Sequence, residues 1–110
     1  MTSHLRPLAL ILTSLSVSTA QAQMTPEQMQ LLGHNCLQCH AAANTGAPLL
    51  GDIQDWQARM QKGREQILKN SIEGIGGMPP MGYCSACTQE DMQVLIDFML
   101  GDAKEVGHDN

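Results

Sequence analysis

The sequence predicts an all-α domain of three to five short helices joined by ordered loops, and three observations carry that expectation. Apolar residues recur at spacings of three and four in several separate segments. No segment alternates in the way a half-buried strand does. Residues that start and stop helices stand where those apolar segments begin and end.

Residues 1–22 read as a secretory signal peptide rather than as structure. Arg6 supplies a positive start, residues 7–17 are apolar, and Ala20-Gln21-Ala22 is a small-residue cleavage site. An uncleaved anchor is the alternative, but the apolar run is short for a membrane span of about 20 residues. The remaining chain, residues 23–110, is then one domain with no membrane span. Removing Arg6 moves the formal charge from −5 to −6. That acidic balance argues against nucleic acid and anionic membranes as partners.

Thr25-Pro26-Glu27-Gln28 reads as a helix start, with Thr25 at N-cap, Pro26 at N1 and Gln28 closing a capping box. Met29, Leu31 and Leu32 face inward before Gly33 ends this helix. Residues 41–51 form a loop rich in turn residues. A middle helix follows Asp52 with Ile53, Trp56 and Met60 on one stripe. Beyond Gly63 a further short helix carries Ile67, Leu68 and Ile72 and stops at Gly74. Residues 74–82 are a Gly/Pro loop that cannot be helix. Thr88 caps the last helix, whose stripe is Met92, Leu95, Ile96 and Met99. Phe98 on that helix is expected against the first helix, and His108 in a frayed tail.

Such long loops are unusual in so small a domain, and Trp56, Tyr83 and Phe98 are its only aromatic residues. A bound prosthetic group would account for both. Cys36-Leu37-Gln38-Cys39-His40 is the attachment signature of c-type haem. Two thiols three residues apart can add to the two vinyl groups of one porphyrin edge, and the adjacent imidazole can ligate the iron. A redox dithiol would need a βαβ setting. A structural zinc site would use Cys36, Cys39, Cys84 and Cys87 and leave His40 without a role.

Met78 is the candidate for the second iron ligand. Gly76 and Gly77 ahead of it, and Pro79 and Pro80 after it, make a stiff non-helical loop able to present one side chain. Met81 is the competitor in the same loop. His34 lies too near Cys36 to reach the opposite face easily. A His/Met pair is an electron-transfer ligand set.

The ordered series CLQCHAAANTGAPLLGD, then Trp56-x-x-Arg59, then GGMPPMGYCSACTQEDM resembles the cytochrome c5 family of class I c-type cytochromes. The resemblance implies the class I cytochrome c fold, with helices and ordered loops around one covalently bound haem c. It implies thioether links at Cys36 and Cys39, axial ligands at His40 and Met78, and a disulfide between Cys84 and Cys87. It also implies that the Pro48 carbonyl holds the second nitrogen of His40, a contact that orients a ligand. Two positions depart from the family, which commonly has a basic residue at Met81 and Gly at Tyr83. Trp56 and Arg59, one helical turn apart, are candidates for the haem propionates; a core Trp and a solvated Arg are the alternative.

The expected function is that of a small periplasmic electron carrier, not an enzyme. It would pass single electrons between redox proteins: a donor such as a membrane quinol-oxidising complex or dehydrogenase, and an acceptor such as a terminal oxidase or reductase. Ionic strength is expected to alter its association rate. Alternatives are a haem-based sensor or peroxidase-like enzyme with an open distal site, and a zinc-bound four-Cys module. The pair Cys84/Cys87 could also be a redox-active dithiol.

Overall fold

The computed structural model describes Met1 and residues 23–108, with side chains described as far as Lys104. Apart from Met1, the expected signal peptide, residues 1–22, lies outside the described residues. Five helices appear in chain order: α1 (Pro26–Leu31), α2 (Leu37–His40), α3 (Ile53–Met60), α4 (Arg64–Glu73) and α5 (Gln89–Leu100). Among the described residues there is no strand, only an isolated antiparallel bridge between Ile75 and Met78.

The cap on α1 forms in both directions. Gln28 N–H donates to Thr25 Oγ1 at 3.1 Å, and Thr25 N–H donates to Gln28 Oε1 at 3.0 Å. Gly33, however, does not end the helix. Leu32–Cys36 forms a π-turn that runs directly into α2. A single interior glycine costs only about 1 kcal/mol, and burial of Leu32 in the core offsets that. Met29, expected to face inward, is 50% exposed and outside the core.

Asp52 caps α3 by accepting the Asp55 N–H at 3.1 Å. Trp56 and Met60 are buried, while Ile53 at the first turn is exposed. Gly63 and Gly74, both at positive φ, bound α4. Thr88 and Asp91 form a full capping box on α5. The buried stripe of α5 is Met92, Leu95, Ile96, Met99 and Leu100. Phe98 is not part of it and is 43% exposed. The stripe positions already fill the seam, and Phe98 lies off it by the helical period.

A polar contact also ties the terminal helices: Gln28 Nε2 donates to Asp91 Oδ1 at 3.0 Å. Arg64 clamps α4 to α5 with a two-pronged bond to Asp97, at 2.6 and 2.9 Å. Beyond α5, Gly101–His108 is a 3-10 segment rather than a frayed tail. It packs on α3 and buries Ala103 in the core. The core therefore lies between α3, α4, α5 and Leu32, and the long loops lie on the side of Cys36 and Met78.

Candidate haem site

The π-turn and α2 carry Cys36, Cys39 and His40 on one continuous helical run. Cys36 is half-buried against the core, and burial pushes its thiol up. A redox-active thiolate requires the opposite shift. Cys39 is exposed. Cys84 and Cys87 are joined to each other, with Cα atoms 5.4 Å apart. A four-cysteine zinc site is therefore not assembled, and no cluster of three or more His, Cys, Asp and Glu side chains suited to a metal is found among the described residues.

His40 is held from two sides. Its Nδ1 lies 2.7 Å from Pro48 O. A carbonyl can only accept, so Nδ1 carries the proton and Nε2 keeps its lone pair free for a metal. The His40 carbonyl in turn accepts the Leu50 N–H at 2.7 Å. The indole of Trp56 stacks on the imidazole, with ring centroids 5.9 Å apart and planes 25° from parallel.

The single N–H of Trp56 donates to Leu49 O at 2.9 Å, which supports the core alternative for this residue. Tryptophan has no second donor to offer. Arg59 pairs with Asp55 through Nε at 3.0 Å, one turn back along α3, and remains largely exposed. Sequence reasoning missed the role of Leu49 and Leu50: backbone acceptors and donors leave no mark on residue type.

The methionine loop is closed tightly. Ile75 N–H donates to Met78 O at 3.0 Å, and Met78 N–H donates to Ile75 O at 2.8 Å, around Gly76-Gly77. Gly74 sits beneath it with φ +90, and a Cβ there would lie 3.1 Å from Met78 O and from Pro80 N. The glycine is legible as a helix stop, but its close approach to the loop is not. Met78 lines an open groove of about 480 Å³ shared with Ile75, Pro79, Pro80 and Tyr83. Met81 instead packs against the core.

Met81, Gly82 and Tyr83 all have positive φ, at 59, 59 and 62 degrees. Such a backbone suits glycine, which accounts for the Gly common in the resembled family where Tyr83 stands. The turn at Pro80–Tyr83 is thus a series of 3-10-like bends, not a helix. It packs on the π-turn: a Cβ on Gly82 would lie 3.8 Å from Asn35 O and 3.7 Å from Met78 Cε. Cys84, 2% exposed, closes the bend by donating its N–H to Met81 O at 3.0 Å.

A helical domain in which a Cys-x-x-Cys-His run packs against a methionine loop defines a class I c-type cytochrome. Residues 23–99 match the family model for cytochrome c oxidase, cbb3-type, subunit III. The chain is 37% identical over 73 residues to cytochrome c5 of Ectopseudomonas mendocina, covering 64% of this chain and 84% of that protein. It is 32% identical over 68 residues to cytochrome c5 of Azotobacter vinelandii, covering 60% and 82%. A chain in the crystal structure of an electron transfer complex of nitrite reductase with cytochrome c superposes with a TM-score of 0.62 at 32% identity. That match covers 74% of this chain and 99% of the other.

The chain belongs to the cytochrome c family and, within it, is related to cytochrome c5. It is an electron carrier rather than an enzyme, and the cofactor of this family is covalently attached haem c. The donor set fits that group: two thiols and an imidazole with a free lone pair on one helical run, and a thioether on the facing loop.

Proposed function

We propose that residues 1–22 are removed on export to the periplasm and that residues 23–110 act there as a monohaem one-electron carrier. Cys36 and Cys39 would form the thioether links, and His40 and Met78 would ligate the iron. The hydrogen bond from His40 Nδ1 to Pro48 O carries this reading, because it presents the unprotonated Nε2 outward in a fixed orientation. Haem c, when attached, supplies a one-electron iron couple, and a thioether ligand raises its potential.

The chain's own residues hold the two ligands in place. Pro48 and the Leu50 N–H pin His40, while Trp56 covers its ring. The paired Ile75–Met78 turn, braced by Gly74, holds Met78 with little conformational freedom. The Cys84–Cys87 link pins the chain between this loop and the α5 cap. Arg59, with its terminal nitrogens outside the Asp55 contact, remains a candidate propionate donor. The partners are redox proteins, a donor such as a quinol-oxidising complex or dehydrogenase and an acceptor such as an oxidase or reductase. The structural relative's complex with a nitrite reductase supports that class of partner.

The near-infrared spectrum of the oxidised holoprotein tests the ligand set. The weak charge-transfer band of Met ligation is expected in the wild type and in Met81→Ala, and lost in Met78→Ala. A high-spin wild-type spectrum that shifts with carbon monoxide or cyanide would establish an open site and overturn the carrier reading. Intact-mass analysis of the exported protein is expected to give a chain starting at Gln23 with one attached haem.

A further inference from the structure

The loop after α2 carries its own fastening. Asn44 and Thr45 are the polar side chains of residues 41–51, and among the described residues Thr45 supplies the side-chain hydrogen bonds of that loop. Its Oγ1 donates to Cys39 O at 2.9 Å, with Ala42 O at 3.3 Å as a second acceptor in reach, and it accepts the Ala47 N–H at 3.2 Å. A hydroxyl has one proton and two lone pairs, so it can serve Cys39 O and the Ala47 N–H at the same time. Cys39 O lies in the last turn of α2, where carbonyls lack a regular intrahelical donor. The Ala42 N–H reaches it at 3.4 Å, and the Thr45 hydroxyl is nearer.

The backbone turns sharply on both sides of this residue. Asn44 has φ 63 and Gly46 has φ 79, both left-handed. Asn enters that region more readily than most residues, and Gly adopts it freely. The chain then runs through Ala47 to Pro48, whose carbonyl accepts from His40 Nδ1 at 2.7 Å. The hydroxyl therefore joins the carbonyl of Cys39 to the amide of the residue directly before the one that orients His40.

We propose that Thr45 is a positioning residue: its hydroxyl ties Cys39 O to the Ala47 N–H and so keeps Pro48 O in register with His40 Nδ1. The proposal rests on the carrier reading above, in which His40 ligates the iron. Thr45 is exposed. Water can replace its bonds when they break, so their net contribution to the whole fold is small. What they govern is the local opening of the loop, which is separate from global unfolding.

The test compares Thr45→Val, Thr45→Ala and Thr45→Ser with wild type in the haem-loaded protein, by NMR at one pH. Valine has the shape of threonine without the hydroxyl, alanine cannot crowd the loop, and serine keeps the hydroxyl. Hydrogen exchange is read in the reduced protein at the His40 Nδ1–H and the Ala47 amide, with the amide of the buried Leu95 in α5 as reference. Thr45→Val and Thr45→Ala should speed exchange at the loop sites by about fivefold or more, the factor that follows from one lost hydrogen bond. They should leave Leu95 unchanged, and Thr45→Ser should exchange like wild type. In the oxidised protein the haem methyl shifts, which follow the plane of a ligating imidazole, should move in the valine and alanine variants and be restored by serine.

Wild-type exchange in both Thr45→Val and Thr45→Ala would overturn the proposal. So would a serine variant that behaves like valine, because the hydroxyl would then not be the operative group. Parallel acceleration at Leu95 would show a general loss of stability and overturn it as well. Faster loop exchange with unmoved methyl shifts would reduce Thr45 to a loop staple and remove its positioning role. A high-spin wild-type spectrum would mark the failure of the carrier reading; a normal spectrum with unchanged exchange in the variants would mark the failure of the role of Thr45 alone.

Discussion

His40 is held by contacts that involve no charged side chain: a prolyl carbonyl, a backbone amide and an indole face. Trp56 contributes twice, through its ring and through its N–H to Leu49 O, next to the carbonyl that holds His40. Trp56→Phe keeps an aromatic ring, though a smaller one, and loses the N–H. It should destabilise the protein by about 1–3 kcal/mol in denaturant unfolding, the range for a partner left unsatisfied at a mostly buried site. Trp56→Ala should cost about 3–5 kcal/mol, because it also empties a core position. Gly74→Ala is the corresponding test of the proposed Met78 ligand. Its positive φ is strained for any side chain, and a methyl group there would crowd Met78 O and Pro80 N at 3.1 Å. The variant should lose more than about 1 kcal/mol and weaken the Met-ligation band.

At the scale of elements, the Cys84–Cys87 link and the α5 cap anchor the methionine loop. A loop closed over so few residues contributes only about 2 kcal/mol through chain entropy. In the double variant Cys84→Ser/Cys87→Ser, the near-infrared band should therefore be lost at lower denaturant than the far-ultraviolet helix signal. Coincident loss of both would reduce the link to a general staple. Asp91 caps α5 and receives Gln28 from α1. The Gln28 side chain, and then the Thr88 backbone and hydroxyl, hold its carboxyl below the usual range. A depressed folded value means that its contribution is present above the ordinary carboxylate pKa of about 4 and lost as the pH falls through the lower one. Asp91→Asn should therefore lower the urea midpoint at pH 6, and the difference from wild type should vanish near pH 2.

For the whole molecule, the element plan was legible because it depends on local chemistry. Thr25, Asp52 and Thr88 mark helix starts, Gly63 and Gly74 bound α4, and the period of three and four picks out α3, α4 and α5. Gly33 misled because a helix can widen around one glycine when a neighbour such as Leu32 is buried. Phe98 is apolar yet 43% exposed, because hydrophobicity alone does not say which side of α5 the seam occupies. The Cys-x-x-Cys-His run and the methionine loop of the proposed site were legible too, since thiols, imidazole and thioether are rare donors in a tight spacing.

By itself the sequence determined the family and the helices, and it singled out the Cys-x-x-Cys-His run and the methionine loop proposed to hold the haem. Tertiary structure alone decided what surrounds those residues. The proton of His40, the acceptor for Trp56 and the brace at Gly74 all depend on backbone atoms meeting across gaps in the chain. Every residue type carries the same amide and carbonyl, so such meetings leave little trace in the order of side chains. The local periodicities are written in side chains, and that is why they could be read first.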